Sequence, residues 1–177
     1  MLADPHHSCV ILLNMTRSRG MGVPAPVLRD GRSVALLAAC QELFGIPPIA
    51  VGEYDRGALS DRIAACIEHL EIDVVSLWRH PRVAARLAAS DAGVIFLGGA
   101  FLEEEVLIAA LEGARHGYDI RLLADLSVGR HDADRPLVLT RLAHYGIFAT
   151  TIRQTLFEWA VSLGDQAISR SVQDLLS

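Results

Sequence analysis

Along this chain, short apolar runs alternate with amphipathic stretches of helical period. Residues 8–13, with Cys-Val-Ile-Leu-Leu at their centre, carry no charged position and predict a strand buried on both faces, as in a parallel sheet. The run stops at Asn14. Residues 15–31 mix Gly, Pro and Arg without a period and predict a loop. An amphipathic helix is expected over 29–43, with Val34, Leu37, Ala38 and Leu43 on one face and Gly45 ending it. A short strand over 46–51 follows. Residues 56–70 carry Leu59, Ile63, Ala64, Ile67 and Leu70 at helical spacing, and 73–77 read as a weak strand or extended connector. His80-Pro81 opens another helix, with Pro81 in the first turn where its missing N–H costs nothing and Val83, Leu87 and Ala88 facing inward.

The stretch 94–125 organises the rest. Val94 to Leu97 predicts a buried strand, and Gly98-Gly99 a tight turn after it. From about Glu103, a helical pattern places Val106, Leu107, Ala110, Leu111 and Ala114 on one face, with Gly117 as the cap. A strand over 118–123 then ends at Ala124-Asp125. Such a βαβ unit is right-handed and gathers ligands near the carboxyl ends of its strands. Any chemistry therefore belongs around 99–105, where three consecutive glutamates stand, Glu103, Glu104 and Glu105.

The remainder reads as a polar loop over 127–134, a helix over 136–144, a strand over 147–151, a helix over 154–161 and a helical tail. Ile168, Val172, Leu175 and Leu176 of that tail are expected to face a neighbour. The sum is one α/β domain, a three-layer α/β/α sandwich around a parallel, Rossmann-like sheet of about six strands. Its core runs over about 8–162, with the tail over about 163–177.

Composition narrows the setting. The hydrophobic share is 51% over 177 residues, yet no run approaches the roughly 18 residues of a membrane helix. The apolar excess points to subunit interfaces and a homo-oligomer. The first residues, MLADPHHSC, lack the basic region of a signal peptide, so a cytoplasmic protein is expected. Cys9, Cys40 and Cys66 are odd in number and sit in apolar contexts, which suits buried thiols better than disulfides. A net charge of −5 with no basic cluster argues against nucleic acid or an anionic membrane as partner. Gly20-Met21-Gly22 lacks the third glycine and the Lys-Ser/Thr of a phosphate loop. The seven histidines are scattered apart from His6-His7, and no metal site is expected.

Gly99, Ala110-Leu111, Gly117-Tyr118 and Asp125 fall without a gap at the spacing of a known nucleophile region. Ser127, Arg135, Arg141, Gly146 and Leu156-Phe157-Glu158 continue the match downstream. Leu77-Trp78 and Ile11-Leu12-Leu13-Asn14-Met15 extend it upstream. The chain resembles the isochorismatase-like cysteine hydrolases over about 8–162. That resemblance implies an Asp, Lys (or Arg) and Cys triad. The thiolate at a helix N-terminus attacks an amide or related carbonyl while the aspartate handles the proton. Carried over by position, the cysteine falls on Glu105, the aspartate on Asn14, and the basic residue on Glu71 or Ile72. All three positions are changed, and Cys9, Cys40 and Cys66 lie on other elements. The resemblance further implies a non-proline cis peptide at Phe101–Leu102 and a pocket involving Phe101, Leu102, Trp78 and Asp125. Its zinc-binding nicotinamidase branch uses an Asp-x-His after the first strand. Asn14-Met15-Thr16 departs from that, so no cofactor is expected.

Glu103 and Glu104 have a simple reading as first-turn carboxylates facing the helix dipole, at roughly 0.3–1 kcal/mol each. Glu105 is expected to face the pocket, with no cation beside it and the Asn14 amide donating to its carboxylate. The function expected is that of a degenerate hydrolase, binding a small molecule or serving as an oligomeric partner. Two other readings stand beside it: a hydrolase of small amides rebuilt around Glu105 and Asn14, and a structural subunit for an active paralogue.

Overall fold

A computed structural model describes residues 2–18, 20 and 25–177; Met21 and Gly22 of the glycine pair lie outside that range. Six strands form one parallel sheet: β1 (Ser8–Leu13), β2 (Ile49–Val51), β3 (Glu68–Leu70), β4 (Val94–Ala100), β5 (Asp119–Val128) and β6 (Phe148–Thr150). Their order is β3-β2-β1-β4-β5-β6. The chain winds outward from β1 to β3, then returns to place β4 on the other side of β1. That reversal opens a crevice at the carboxyl ends of β1 and β4, where ligands bind in folds of this type.

Alternation along β1 makes the layers. Cys9, Ile11 and Leu13 point into one core, while Val10 and Leu12 point into the other. The first core is covered by α3 (Pro81–Ala89), α4 (Leu107–Arg115) and α5 (Arg135–His144) through Val83, Leu87, Ala110, Val138 and Leu142. The second is covered by α1 (Gly31–Phe44), α6 (Ile152–Leu163) and α7 (Gln166–Leu176) through Val34, Leu37, Leu156, Trp159 and Val172. The short α2 (Asp61–Cys66) packs beside α1. Among the described residues no helix is long and apolar enough to cross a membrane.

Four local expectations are corrected, each because tertiary pairing overrides local period. The helix expected over 56–70 stops at Cys66, and Glu68–Leu70 instead forms the edge strand, with the Glu68 N–H donating to Pro48 O at 2.9 Å. Residues 73–77 are no strand. Val74–Arg79 coil into a tight helical turn, capped by Asp73 and burying Val74, Leu77 and Trp78. The tail packs largely on its own chain, with Val172 and Leu176 buried there and Ile168 against them, while Leu175 stays 41% exposed.

The fourth correction concerns Gly98-Gly99, which does not turn but continues β4 to Ala100. The pairing with β5 jumps there, from Leu97–Leu122 to Gly99–Ser127. Gly99 has φ of +125°, and a Cβ on it would meet the Leu13 carbonyl oxygen of β1 at 1.9 Å. Only glycine allows the two strands to lie this close. The variant Gly99→Ala should therefore lose about 3 kcal/mol or more of stability, from the disfavoured φ together with the backbone clash. Urea unfolding measures this, and a loss under about 1 kcal/mol would contradict the packing described.

Candidate functional site

Asn14 follows β1 in a left-handed conformation, φ 48°, and is almost wholly buried. Its backbone N–H donates to Val51 O at 2.8 Å. Its side-chain Nδ2 donates to Ala100 O at 3.1 Å, and its Oδ1 accepts from the Glu53 N–H at 3.0 Å. One amide thus ties the carboxyl ends of β1, β2 and β4. Gly52 makes room for it: a Cβ there would lie 2.3 Å from Asn14 Oδ1. The bond expected from Asn14 to Glu105 is not formed; the amide bonds instead to the backbone at Ala100 and Glu53.

Between β4 and α4, residues Leu102–Val106 make a wide turn, with the Glu104 and Val106 N–H groups both donating to Phe101 O. Glu104 sits at φ −110°, ψ −111°, outside helical geometry. The three glutamates are therefore not the regular first turn of a helix, and each has a specific partner. Glu103 Oε1 accepts from the backbone N–H groups of Arg130 and His131 at 2.7 and 2.9 Å. Glu104 pairs with the Arg130 guanidinium at 2.8 and 3.2 Å, which holds its carboxyl below the usual carboxylate range. Glu105 Oε1 accepts from Arg17 Nη1 at 2.5 Å, while Arg17 Nε donates to Glu53 at 2.8 Å. The cation expected to be missing is thus present, delivered by the loop after β1 instead of by position 71 or 72. Both partners of the Arg17–Glu105 pair are mostly shielded, with side chains 22% exposed. A loop arginine carries no period, so only its closeness in sequence to the end of β1 hinted at this role.

These groups line a cleft of about 420 Å³ formed by Asn14, Arg17, Gly52, Glu53, Glu71, Ile72, Asp73, Val74, Val75 and Glu105. Glu105, Asn14 and Glu71, the three positions singled out by the resemblance, all line this cleft. Among the described residues, four carboxylates (Glu53, Glu71, Asp73, Glu105) and one guanidinium, that of Arg17, line this cleft. An adjoining cavity of about 250 Å³ shares Val74, Val75 and Glu105 and adds Trp78, Glu104, Ile108, Ala109 and Glu112. Trp78 is fixed there by its Nε1 donating to Ala109 O at 2.8 Å and by stacking on Tyr118. A larger hollow of about 520 Å³ between α6 and α7 holds none of these acidic groups.

The other expected pocket residues lie elsewhere. Phe101 and Leu102 are fully buried and belong to the two opposite cores, and Arg130 lies over the Phe101 ring at 4.3 Å. Asp125 does not line the cleft; both its oxygens accept from the Ile152 N–H at 3.1 and 3.2 Å, capping the start of α6. The non-proline cis peptide is Ala100–Phe101, one residue earlier than expected. Among the described residues no cysteine lines the cleft, and no group of three or more His, Cys, Asp or Glu is arranged to hold a metal ion. Burial pushes the Cys9 thiol up to about 12 and raises Cys40 as well, whereas Cys66 is half-buried at the end of α2.

No protein-family model and no curated protein matches the sequence. Solved structures do match its shape. The MAR1 ribonuclease of Caenorhabditis elegans superposes with a TM-score of 0.77 at 16% identity, covering 99% of this chain and 92% of that one. Escherichia coli YcaC, an octameric hydrolase of unknown specificity, gives 0.73 at 16% identity, covering 98% and 90%. The nicotinamidase PncA of Bacillus subtilis gives 0.65 at 13% identity, covering 81% and 99%. The fold is that of the isochorismatase-like cysteine hydrolases. Within this hydrolase fold the cleft occupies the crevice beside β1 and β4, and the side chains filling it are those described above.

Two measurements check the arrangement. In a double-mutant cycle with Arg17→Ala and Glu105→Gln, the pair should show a coupling of about 1–2 kcal/mol, as expected for contacting, partly shielded charges. A coupling near zero would show that the contact contributes nothing. With iodoacetamide on the native protein, Cys66 should react first, while Cys9 and Cys40 wait for unfolding, because a thiol with a raised pKa supplies little thiolate.

Proposed function

We propose that this protein keeps the hydrolase scaffold without its sulfur chemistry and works as a small-molecule-binding protein, assembled as a homo-oligomer in the cytoplasm. The observation that carries the reading is the Arg17–Glu105 pair. By the resemblance, Glu105 stands where the nucleophilic cysteine belongs, and a guanidinium already neutralises one of its oxygens. A carboxylate so held is a weak nucleophile. Asn14, at the aspartate position, cannot take up a proton near neutral pH, and both ends of its amide are occupied. A triad acts as a unit, so changes at several of its members leave little of the original rate.

Binding is supported by a cleft that is open and charged and by the fixed indole of Trp78 in the cavity adjoining it. The acidic balance of cleft and chain disfavours nucleic acid, whose phosphates would meet carboxylates. Assembly is supported by large apolar side chains left exposed near the β6 edge, Leu137, Tyr145 and Phe148, each at least 65% exposed. The octameric state of YcaC supports it further.

The competing reading, a hydrolase rebuilt around Glu105, makes an opposite prediction. A panel of small primary amides incubated with the wild type should release no ammonia above the level given by Glu105→Gln. Turnover by the wild type that disappears in Glu105→Gln would overturn the binding-protein reading.

A further inference from the structure

We propose that a second copy of this chain packs antiparallel on the outer face of α4, across a two-fold axis close to the middle of that helix. The proposal rests on the homo-oligomer reading above and names the face that is shared. Three apolar side chains stand exposed along this face: Val75 at 69%, Ile108 at 49% and Tyr145 at 65%. Hollows in the surface connect them. Val75 and Ile108 line the cavity beside Trp78, and Tyr145 lines another of about 490 Å³ with Leu111, Ala114 and Arg115 of α4. Glu112 belongs to both, so one band crosses α4 from Val75 to Tyr145. Helical spacing makes the band. Ala109, Ala110 and Gly113 turn toward the sheet, which leaves Ile108, Glu112 and Arg115 on the outward ridge.

A second copy is the occupant because the face complements itself in charge. Glu104 and Glu105 stand just before α4, while Arg115 and His116 close it. Arg115 is exposed and forms no ion pair among the described residues. A two-fold axis turns the second helix end for end, so Arg115 of each copy meets the glutamates of the other, where Glu104 keeps its side chain 38% exposed. Ile108 and Leu111 of the two copies then cross at the centre, and the two helix dipoles run in opposite directions. The area agrees with such a contact. Scaled from the roughly 150–250 Å² of a large side chain, the three exposed ones present on the order of 300 Å² per copy. Buried on both copies, with the usual polar share of an interface, this makes about 1,100 Å² in total, near the lower bound of a specific interface and far below an obligate one. The contact is therefore a reversible one. It also closes the cavity beside Trp78, whose exposed rim is Val75 and Ile108, so the partner copy becomes that cavity's outer wall.

Sedimentation equilibrium of the full chain over a range of concentrations tests this. The wild type should self-associate, with a dimer as its smallest assembled unit. Ile108→Glu should weaken that association by about tenfold or more, because it removes apolar area and sets like charge against Glu112 of the other copy. Arg115→Glu should weaken it by about tenfold, whereas Arg115→Lys, which keeps the charge, should change it by less than about threefold. Phe157→Ser on α6, across the sheet, removes a side chain as exposed as Ile108 and should leave association unchanged. All three positions are exposed, and circular dichroism checks that the variants stay folded. A wild type that remains monomeric overturns the inference and the homo-oligomer reading together. An oligomer that ignores both Ile108→Glu and Arg115→Glu, or that yields to Phe157→Ser in their place, overturns the inference alone and leaves assembly to another face.

Discussion

The buried amide of Asn14 is the contact on which the site depends. Its own strand β1 and the neighbours β2 and β4 end within its reach: the side chain bonds to Ala100 O of β4 and to the Glu53 N–H just past β2, while its backbone N–H bonds to Val51 O at the end of β2. A carboxylate in its place would have no donor to offer the Ala100 carbonyl, and it would bring a charge into a nearly solvent-free position beside Glu105. An amide here is a fixed strut, where an acid could exchange protons. Gly52 and Gly99 are the complementary adjustments, each removing a side chain so that the amide or the strand backbone can come close.

Much of the architecture was legible because burial leaves a mark on residue type. The run at β1 is apolar on both faces because both faces are covered, and its bounds, Ser8–Leu13, match the reading from sequence. α3 was readable from Pro81, α4 from its period and α1 from its stop at Gly45. What failed was set by partners far along the chain. β3 has only three residues, with Leu70 alone buried, and no local pattern separates it from the helix before it. Gly98-Gly99 looked like a turn because glycine marks turns, whereas here it marks a close approach of two strands. The tail looked like an interface because its apolar stripe is strong; α6 supplies the covering surface instead.

The site followed the same rule. Asn14 and Glu105, singled out by their spacing, both line the cleft. Arg17 was missed because the loop that carries it has no repeat, and its charge acts through space, not through sequence distance. Asp125 shows the opposite error. An acid at a strand end invites a chemical role, yet here it satisfies the first amide of the next helix, a structural task that spacing alone does not distinguish.

The grip of Glu103 and Glu104 on residues 130 and 131 has a mechanical consequence. The turn that carries Glu105 is braced from outside by the segment after β5, through two backbone amides and one guanidinium. Arg130 in turn rests on Phe101, so the brace closes on the residue just before that turn. Neighbouring side chains on one short turn thus divide the labour: two anchor the backbone to an adjacent segment, and the third faces the opening. A displacement of Glu105 would be felt as tension at Arg130, on the surface, where a spectroscopic label could register events inside the cleft.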